Sequence, residues 1–426
     1  MEKLLQSKIC NLVVWMLVVG GAGCTADLSA PSTGVDDTHQ VERWSVRLPG
    51  NAGIYNEGLI GLPVVNERVL FHSTMFTNET QEDNRLHALD VVTGKLVWTF
   101  PAGFNPSEPY YFEGRPHLTG NLLVTKMSAF EPYSYHDRIL ILDVNSGTQQ
   151  KLIHMPNALS RFSCRDVTGV DTEAWFIQED HRQSYVYKLS LPSGDTTCIA
   201  TLRSGISKGR LEVTTRELHL YNYEGQRILA VGTLDNQENK SLVELLIINA
   251  DTGKEILRKE VHQDLNFIIN SVVIRDRQLY YTCGRLAGCI DISNRHQRWL
   301  YDAGGSVDRI IPGLFVQDSV ALLWGHAGYS AVEIGTGKQL YKREIACSSV
   351  NGNSPYFIVL RSDGKVSVIH QQTGRELHEL TVSSRTDSSG FSYSCKPGIS
   401  NGNLFLFGEY NAYCFDLAKI VGQPTD

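Results

Sequence analysis

Nine cysteines are the residues with the most evident capacity for chemistry, and they lie at positions 10, 24, 164, 198, 283, 289, 347, 395 and 414. Cys283 and Cys289 flank the short segment GRLAG between two strand-like runs, so they could face each other across a hairpin and form a disulfide. The alternative is that both are small, half-buried apolar residues. Since no Cys-x-x-Cys pair occurs, the spacing does not indicate a zinc or redox site.

Other patterns typical of catalysis or ligand binding are missing from the sequence. It contains no His-Glu-x-x-His, no Gly-x-Ser-x-Gly and no acidic calcium loop. The segment SDGK, Ser362 to Lys365, shares a few residues with a calcium loop, but we expect a turn between two strands. We therefore predict no catalytic residue, no cofactor-binding residue, no metal site and no enzymatic activity.

The first 40 residues are typical of export and anchoring rather than of a fold. A weakly basic start precedes the apolar run ICNLVVWMLVVGGAG, which is short for a membrane span and ends at Cys24. The sequence GGAGC resembles a bacterial lipobox, so we predict a signal peptide over residues 1–23, a lipidated Cys24 and a polar tether over residues 24–40. An ordinary secretory signal with an incidental Cys24 is the alternative. Thr25 favours the outer membrane, with the protein facing the periplasm.

Composition and charge exclude one class of partner. The 426 residues are 42% hydrophobic and carry a formal net charge of −7, with acidic and basic residues interspersed. Because there is no basic run or patch, we predict no nucleic-acid partner. The length indicates two or three domains unless the fold is a barrel or a propeller.

A hairpin pattern recurs along the chain. LHALDVVTGKLVWTF, Leu86 to Phe100, has an apolar run, a turn and a second apolar run. An isolated hairpin is at best marginally stable, so similar units must cover its faces. Related segments recur at intervals of 37 to 59 residues, and each copy also has strand-like runs upstream. The aligned positions are Asp90, Asp143, Ser190, Asn249, Asp291, Glu333, His370 and Asp416.

Four strands per repeat at a period of about 47 residues indicate a β-propeller. We predict an all-β fold over residues 41–426, an eight-bladed β-propeller of four-stranded antiparallel blades, with strands a to d from the axis outward. The last repeat lacks strand d, while RWSVRLPG, Arg43 to Gly50, is a strand-like segment without a repeat of its own. We predict that this N-terminal strand completes the last blade and closes the ring.

The segment ALDVVTGKLVW closely resembles the repeat of the pyrroloquinoline-quinone-like propellers, and the resemblance covers about residues 41–426. This family includes quinoprotein alcohol dehydrogenases and the BamB-like lipoproteins of outer-membrane assembly, and it implies the same propeller fold. Many of the enzymes use a vicinal Cys-Cys disulfide, a calcium ligand set and a catalytic Asp. No two cysteines are adjacent here, so nothing of that site is carried over. The resemblance therefore favours the BamB-like, non-catalytic members.

One face of the predicted propeller carries long, aromatic loops. The a–b and c–d turns lie on one face, which we expect to be plain because its c–d turns are short. The d–a and b–c connections lie on the other, and two long ones, PAGFNPSEPYYFEGR and SAFEPYSYHDR, belong to the second repeat. Aromatic side chains with acidic neighbours suit a protein-binding surface, although the loops could instead pack on each other over the pore. The candidate partner-binding residues are Phe104, Tyr110, Tyr111, Phe112, Phe130, Tyr133 and Tyr135.

The function that we predict is a monomeric envelope lipoprotein that serves as a non-catalytic scaffold for protein partners in the cell envelope. It contacts the membrane only through its lipid anchor. Two other functions stay open at the level of sequence, since a fold does not fix a function. One is a quinone-dependent dehydrogenase or polysaccharide-active propeller enzyme, and the other is a surface protein that binds a ligand or neutralises a toxin.

Overall fold

The computed structural model describes the strands and most of the turns that join them, all within one compact unit, Thr38–Asp426. The described residues are 41–48, 61–65, 68–78, 81–101, 110–131, 134–154, 161–162, 167–179, 183–191, 193–202, 210–214, 218–236, 241–262, 268–304, 311, 313–381, 390–391, 396–408 and 410–422.

Antiparallel four-stranded sheets follow one another along the chain, which confirms the predicted eight-bladed β-propeller. In the third and fourth blades, strand a is divided into two short segments that both pair with strand b. The strands of the first four blades are β2 (Gly61–Val65), β3 (Arg68–Asn78), β4 (Gln81–Asp90) and β5 (Leu96–Phe100); β6 (Tyr110–Thr119), β7 (Leu122–Glu131), β8 (Ser134–Asp143) and β9 (Gln149–His154); β10 (Arg161–Phe162), β11 (Thr168–Val170), β12 (Glu173–Glu179), β13 (Ser184–Ser190) and β14 (Thr196–Leu202); and β15 (Arg210–Val213), β16 (Leu220–Tyr223), β17 (Gln226–Asn236), β18 (Ser241–Asn249) and β19 (Glu255–His262).

The remaining blades are regular, and the last one is followed by a short helix, α1 (Leu417–Gly422). Their strands are β20 (Ile269–Arg275), β21 (Gln278–Cys283), β22 (Leu286–Asp291) and β23 (Gln297–Asp302); β24 (Gly313–Gln317), β25 (Val320–Gly325), β26 (Gly328–Glu333) and β27 (Gln339–Arg343); β28 (Cys347–Asn353), β29 (Tyr356–Arg361), β30 (Val366–His370) and β31 (Glu376–Leu380); and β32 (Gly398–Ser400), β33 (Asn403–Phe407), β34 (Asn411–Asp416) and the N-terminal β1 (Glu42–Arg47).

Strand β1 closes the ring, as the sequence predicts. It pairs antiparallel with β34, with Glu42 opposite Phe415, and so supplies strand d of the eighth blade. Its Trp44 indole Nε1 donates a hydrogen bond to the backbone carbonyl of Val91 in the first blade at 3.0 Å. The strand therefore joins the last blade to the first through both its backbone and a side chain.

Apolar clusters fill the interfaces between successive blades in the part of the chain that the structure describes. At the closure, Val69 and Leu89 of the first blade are buried with Phe405 and Cys414 of the eighth. Trp44 is partly buried and packs against this cluster. Each sheet is thus covered on both faces. For that reason strands b and c contain continuous apolar runs, as in buried sheets elsewhere, and burial of this surface is the main stabilising contribution.

The turns between strands c and d share one geometry. In the first blade, Asp90 Oδ1 accepts hydrogen bonds from the hydroxyl of Thr93 at 2.8 Å and from its backbone N at 2.9 Å, and Asp143 binds Ser146 in the same way. These bonds, the hydroxyl bond foremost, hold the pKa of the Asp90 carboxyl below its usual value. Gly94 follows with a φ of 68°, which disfavours any side chain. The turn acids are structural.

The same turns pack on strand d of the preceding blade. Trp98 Nε1, in β5, donates to the carbonyl of Val144 in the second blade at 2.8 Å. Trp299 Nε1, in β23, donates to that of Ile334 in the sixth blade at 2.7 Å. A Cβ added to Gly147 would lie 2.6 Å from the Trp98 ring. The recurring Trp and Gly of the repeat are therefore two halves of one contact between blades.

Candidate functional site

The aromatic residues of the second blade lie mostly in strands and not in loops, so that part of the prediction is wrong. Strand β6 begins at Tyr110, β7 continues to Glu131, and β8 begins at Ser134. Aromatic residues favour extended backbone, which lets these strands grow to 10 residues each. Phe104 and Tyr133 fall outside the described residues.

The register of these strands nevertheless brings four of the predicted residues to one end of the blade. Tyr110 and Tyr111 open β6, and Tyr110 pairs with Ala129. The next residue, Phe130, pairs with Tyr135 across β7 and β8. This is the end of the blade at which strand a begins and strands b and c are joined. We call Tyr110, Tyr111, Phe130 and Tyr135 the aromatic cluster; it lies on the face of the d–a and b–c connections.

Phe112 does not belong to this cluster, because it contributes to the core. Its side chain is partly buried against the apolar residues between the first and second blades. Its ring meets that of Phe100 edge-on, with the ring centroids 6.5 Å apart. Such edge-to-face pairs stabilise packing. Phe112 therefore helps to fix the first two blades against each other.

The predicted disulfide between Cys283 and Cys289 is wrong. Both thiols are free. Strand β21 folds back directly after Cys283, which pairs with Leu286, whereas Cys289 pairs with Tyr280. Burial raises the pKa of the Cys283 thiol to about 12 and that of Cys289 to about 11, so both stay protonated at neutral pH. They are buried apolar residues, as the alternative interpretation had it.

The described residues form a small cavity between the fifth and sixth blades. Its volume is about 30 Å³, and its lining includes Trp324, Tyr329, Ser330 and Lys342. A space of this size holds about one water molecule. Among the residues that the structure describes, no group of three His, Cys, Asp or Glu side chains is placed to hold a metal ion. The SDGK segment is a turn, since β29 and β30 flank it as predicted.

Polar side chains join the innermost strands of neighbouring blades. The Nε2 of His117, in β6, donates to the carbonyl of Gly169 in β11, at 2.6 Å. The hydroxyl of Tyr221, in β16, donates to the carbonyl of Val272 in β20, at 3.0 Å. Burial lowers the pKa of His117 below its usual value, so the ring is neutral at pH 7. These groups tie the ring together near its axis.

An ion-pair network joins the third and fourth blades. Arg227 contacts Glu173 at 2.6 Å and pairs with Asp251, and its guanidinium lies 4.9 Å from the centroid of the Trp175 ring. Lys188 also binds Glu173, at 2.6 Å. The hydrogen bond from Lys188, followed by that from Arg227, lowers the pKa of the Glu173 carboxyl. Because the acidic and basic side chains of this network pair with one another, we interpret it as a structural contact between the third and fourth blades.

The short-turn face is not plain, contrary to what was predicted, because it carries exposed apolar side chains. Val92, at the tip of the β4–β5 turn, is 77% exposed; Leu96 and Val97, which open β5, are 48% and 41% exposed. We call these three residues the apolar corner. Comparing the repeats position by position would have found it, since every other c–d hairpin has a polar residue in place of Leu96. Those residues are Gln149, Thr196, Glu255, Gln297, Gln339 and Glu376.

No protein-family model matches this chain, and no curated protein matches it in sequence. Solved structures do match it. BamB from Moraxella catarrhalis is 11% identical, with 88% of this chain and 99% of that chain covered and a TM-score of 0.59. The Dos1 propeller is 11% identical, with coverage of 89% and 96% and a TM-score of 0.61. Sqt1 from Saccharomyces cerevisiae is 12% identical, with coverage of 85% and 97% and a TM-score of 0.56. The likeness is one of fold.

Membrane association by a transmembrane helix finds no support in the described residues. None of their helices combines the length and the apolar character that crossing a bilayer requires. The N-terminal segment that we predict to be a signal peptide and tether lies outside the described residues.

Proposed function

We propose that the protein is an envelope lipoprotein whose propeller binds a protein partner without catalysing a reaction. The observation that carries this proposal is the aromatic cluster, in which three adjacent strand ends bring four aromatic residues to one face. Tyr and Phe supply large contact areas at low cost in side-chain entropy, and aromatic anchors dominate the energy of many interfaces. The partner that fits is a protein with an apolar groove or pocket.

The rest of the ring supports a scaffold. The turn carboxylates bind their own backbone amides, the tryptophans bind the next blade, and the described buried thiols are held protonated. These carboxylates, indoles and thiols thus have structural roles, which supports the proposal. The similarity in fold to BamB adds support at the level of architecture only, since fold does not fix function.

Replacing Cys24 with Ala should release the protein from the membrane fraction. The lipid on Cys24 is the anchor in this proposal, and a diacylated residue holds a protein far more firmly than surface contacts do. Fractionation of salt-washed envelopes measures the change. The matched control is Cys198→Ala, since Cys198 is a free, exposed thiol of the propeller and its loss should leave fractionation unchanged. A Cys24→Ala protein that stays with the outer membrane would contradict the anchor.

Affinity purification of the lipidated chain from crosslinked envelopes tests the scaffold itself. We expect one envelope protein to be recovered in an amount comparable to that of the chain, because an aromatic-anchored interface is specific. Recovery of a bound small molecule with turnover, in place of a protein, would overturn the proposal.

A further inference from the structure

The apolar corner of the first blade, Val92, Leu96 and Val97, is a surface that nothing in the scaffold proposal uses. We propose that it rests on the lipid bilayer beside the anchor, so that the propeller stands on the membrane by its short-turn face. This inference rests on the proposed lipid anchor. In this orientation the aromatic cluster, on the opposite face, is turned away from the bilayer and is accessible to a protein partner.

The chain enters the propeller beside this corner. Strand β1 begins with Glu42 opposite Phe415, at the end of β34 that leads into α1, which is the short-turn face. Trp44 then lies on the β4–β5 turn, because its Nε1 bonds Val91 at 3.0 Å and a Cβ on Gly94 would lie 2.7 Å from its ring. The hairpin that carries the apolar corner is therefore the hairpin on which the entering strand packs.

The length of chain between the anchor and β1 keeps this face near the bilayer. The 17 residues from Cys24 to Gln40 can reach at most about 60 Å, even fully extended. The face at which β1 begins is therefore held within that distance of the proposed anchor. A tether raises the local concentration of a weak contact in just this way.

The chemistry of the corner suits lipid. Val92, Leu96 and Val97 fall within six consecutive residues of one hairpin, whereas Leu300 and Leu340, the other exposed large apolar residues among those described, lie singly on outer strands. Lys95, in the same turn, and Lys419, in α1 on the same face, are exposed. Two nearby carboxylates are paired, since Asp416 binds Arg43 at 2.8 Å and Asp90 binds Arg68 at 3.3 Å. Apolar side chains beside exposed ammonium groups match the interface of a bilayer with anionic headgroups.

Quenching by brominated lipid tests the contact. The lipidated full chain is reconstituted into vesicles of phosphatidylethanolamine and phosphatidylglycerol, with or without bromine on the acyl chains. The probe is Val92→Trp. The matched control is Gly335→Trp, at the same turn position in the sixth blade, where an added Cβ meets nothing within 4 Å. We expect bromination to remove at least half of the fluorescence added by the Val92 probe and little of that added by the control.

Leu96→Gln in the Val92→Trp protein should restore most of that fluorescence without unfolding, because Gln149, Gln297 and Gln339 occupy the same position in other blades. Equal quenching of both probes, or of neither, would overturn the proposal. So would a dimer in light scattering that Leu96→Gln dissociates, since a second copy would then cover the corner. If the mass of the mature chain shows no lipid, the proposed lipid anchor is wrong, and this result does not decide whether the apolar corner binds lipid. Vesicles added to the soluble chain then test the apolar corner alone, with the same two outcomes.

Discussion

Trp44→Ala should lower the free energy of unfolding by about 2–3 kcal/mol, within the range for partly buried aromatic side chains that also lose a hydrogen bond. Trp44 lies at the closure of the ring, where it packs against the first blade and its Nε1 bonds Val91. Losing it weakens the apolar interface between the eighth and first blades, which is the contact that closes the ring. Urea unfolding of the purified chain measures the effect.

Ser45→Ala is the matched control, because Ser45 is the next residue of β1, is exposed and pairs with Tyr413 through the backbone alone. Exposed substitutions of this kind change stability by about 0.5 kcal/mol or less. Equal unfolding midpoints for the two variants would show that β1 does not hold the ring closed.

Gly253→Ala should be the most destabilising change of one methyl group in the described turns, at about 3–4 kcal/mol. Gly253 has a φ of 70°, and its added Cβ would lie 1.9 Å from the carbonyl oxygen of Ile199 on the preceding blade. The variant thus combines strain in the left-handed region with an overlap that the backbone must relieve by moving.

Gly120→Ala separates the two effects. Gly120 has a φ of 56°, and an added Cβ would have no atom within 4 Å. The free energy of unfolding of the Gly120→Ala variant should therefore fall only because of the backbone conformation, by about 1 kcal/mol. Thermal unfolding of both variants gives the difference. If the two lose equal stability, the c–d turns do not pack on the preceding blade as closely as the structure has it.

The repeats made the fold accessible from the sequence. Asp90, Gly94 and Trp98 each act within one turn or on the neighbouring blade, so their pattern survives in the linear order of residues. The orphan segment around Trp44 was recognisable for the same reason, because it has the character of a strand d without a strand c. Ring closure follows from counting such local units, and no distant contact had to be guessed.

Strand register and the solvent exposure of side chains were harder to predict from the sequence. The disulfide failed because pairing in a hairpin depends on the length of the turn, and a turn at Gly284-Arg285 places Cys283 opposite Leu286. The aromatic segments of the second blade contain Pro, Asn and Glu and look like loops, yet their hairpin continues to the strand ends. The apolar corner was overlooked because Val92, Leu96 and Val97 look like ordinary strand residues within one repeat, and only a comparison across the repeats shows that Leu96 stands where the others are polar.

The most direct test of the account is the amount of envelope partner that crosslinks to the chain when the aromatic cluster is changed. The variant carries Tyr110→Thr, Tyr111→Thr and Tyr135→Thr, since Thr keeps the strand propensity of these positions. Its control carries Lys254→Gln and Lys338→Gln on the short-turn face. With anchors worth about 2 kcal/mol each, we expect the recovered partner to fall at least tenfold in the Tyr variant and to stay unchanged in the control, with melting temperatures within a few degrees. A folded Tyr variant that recovers as much partner as the control would contradict the account.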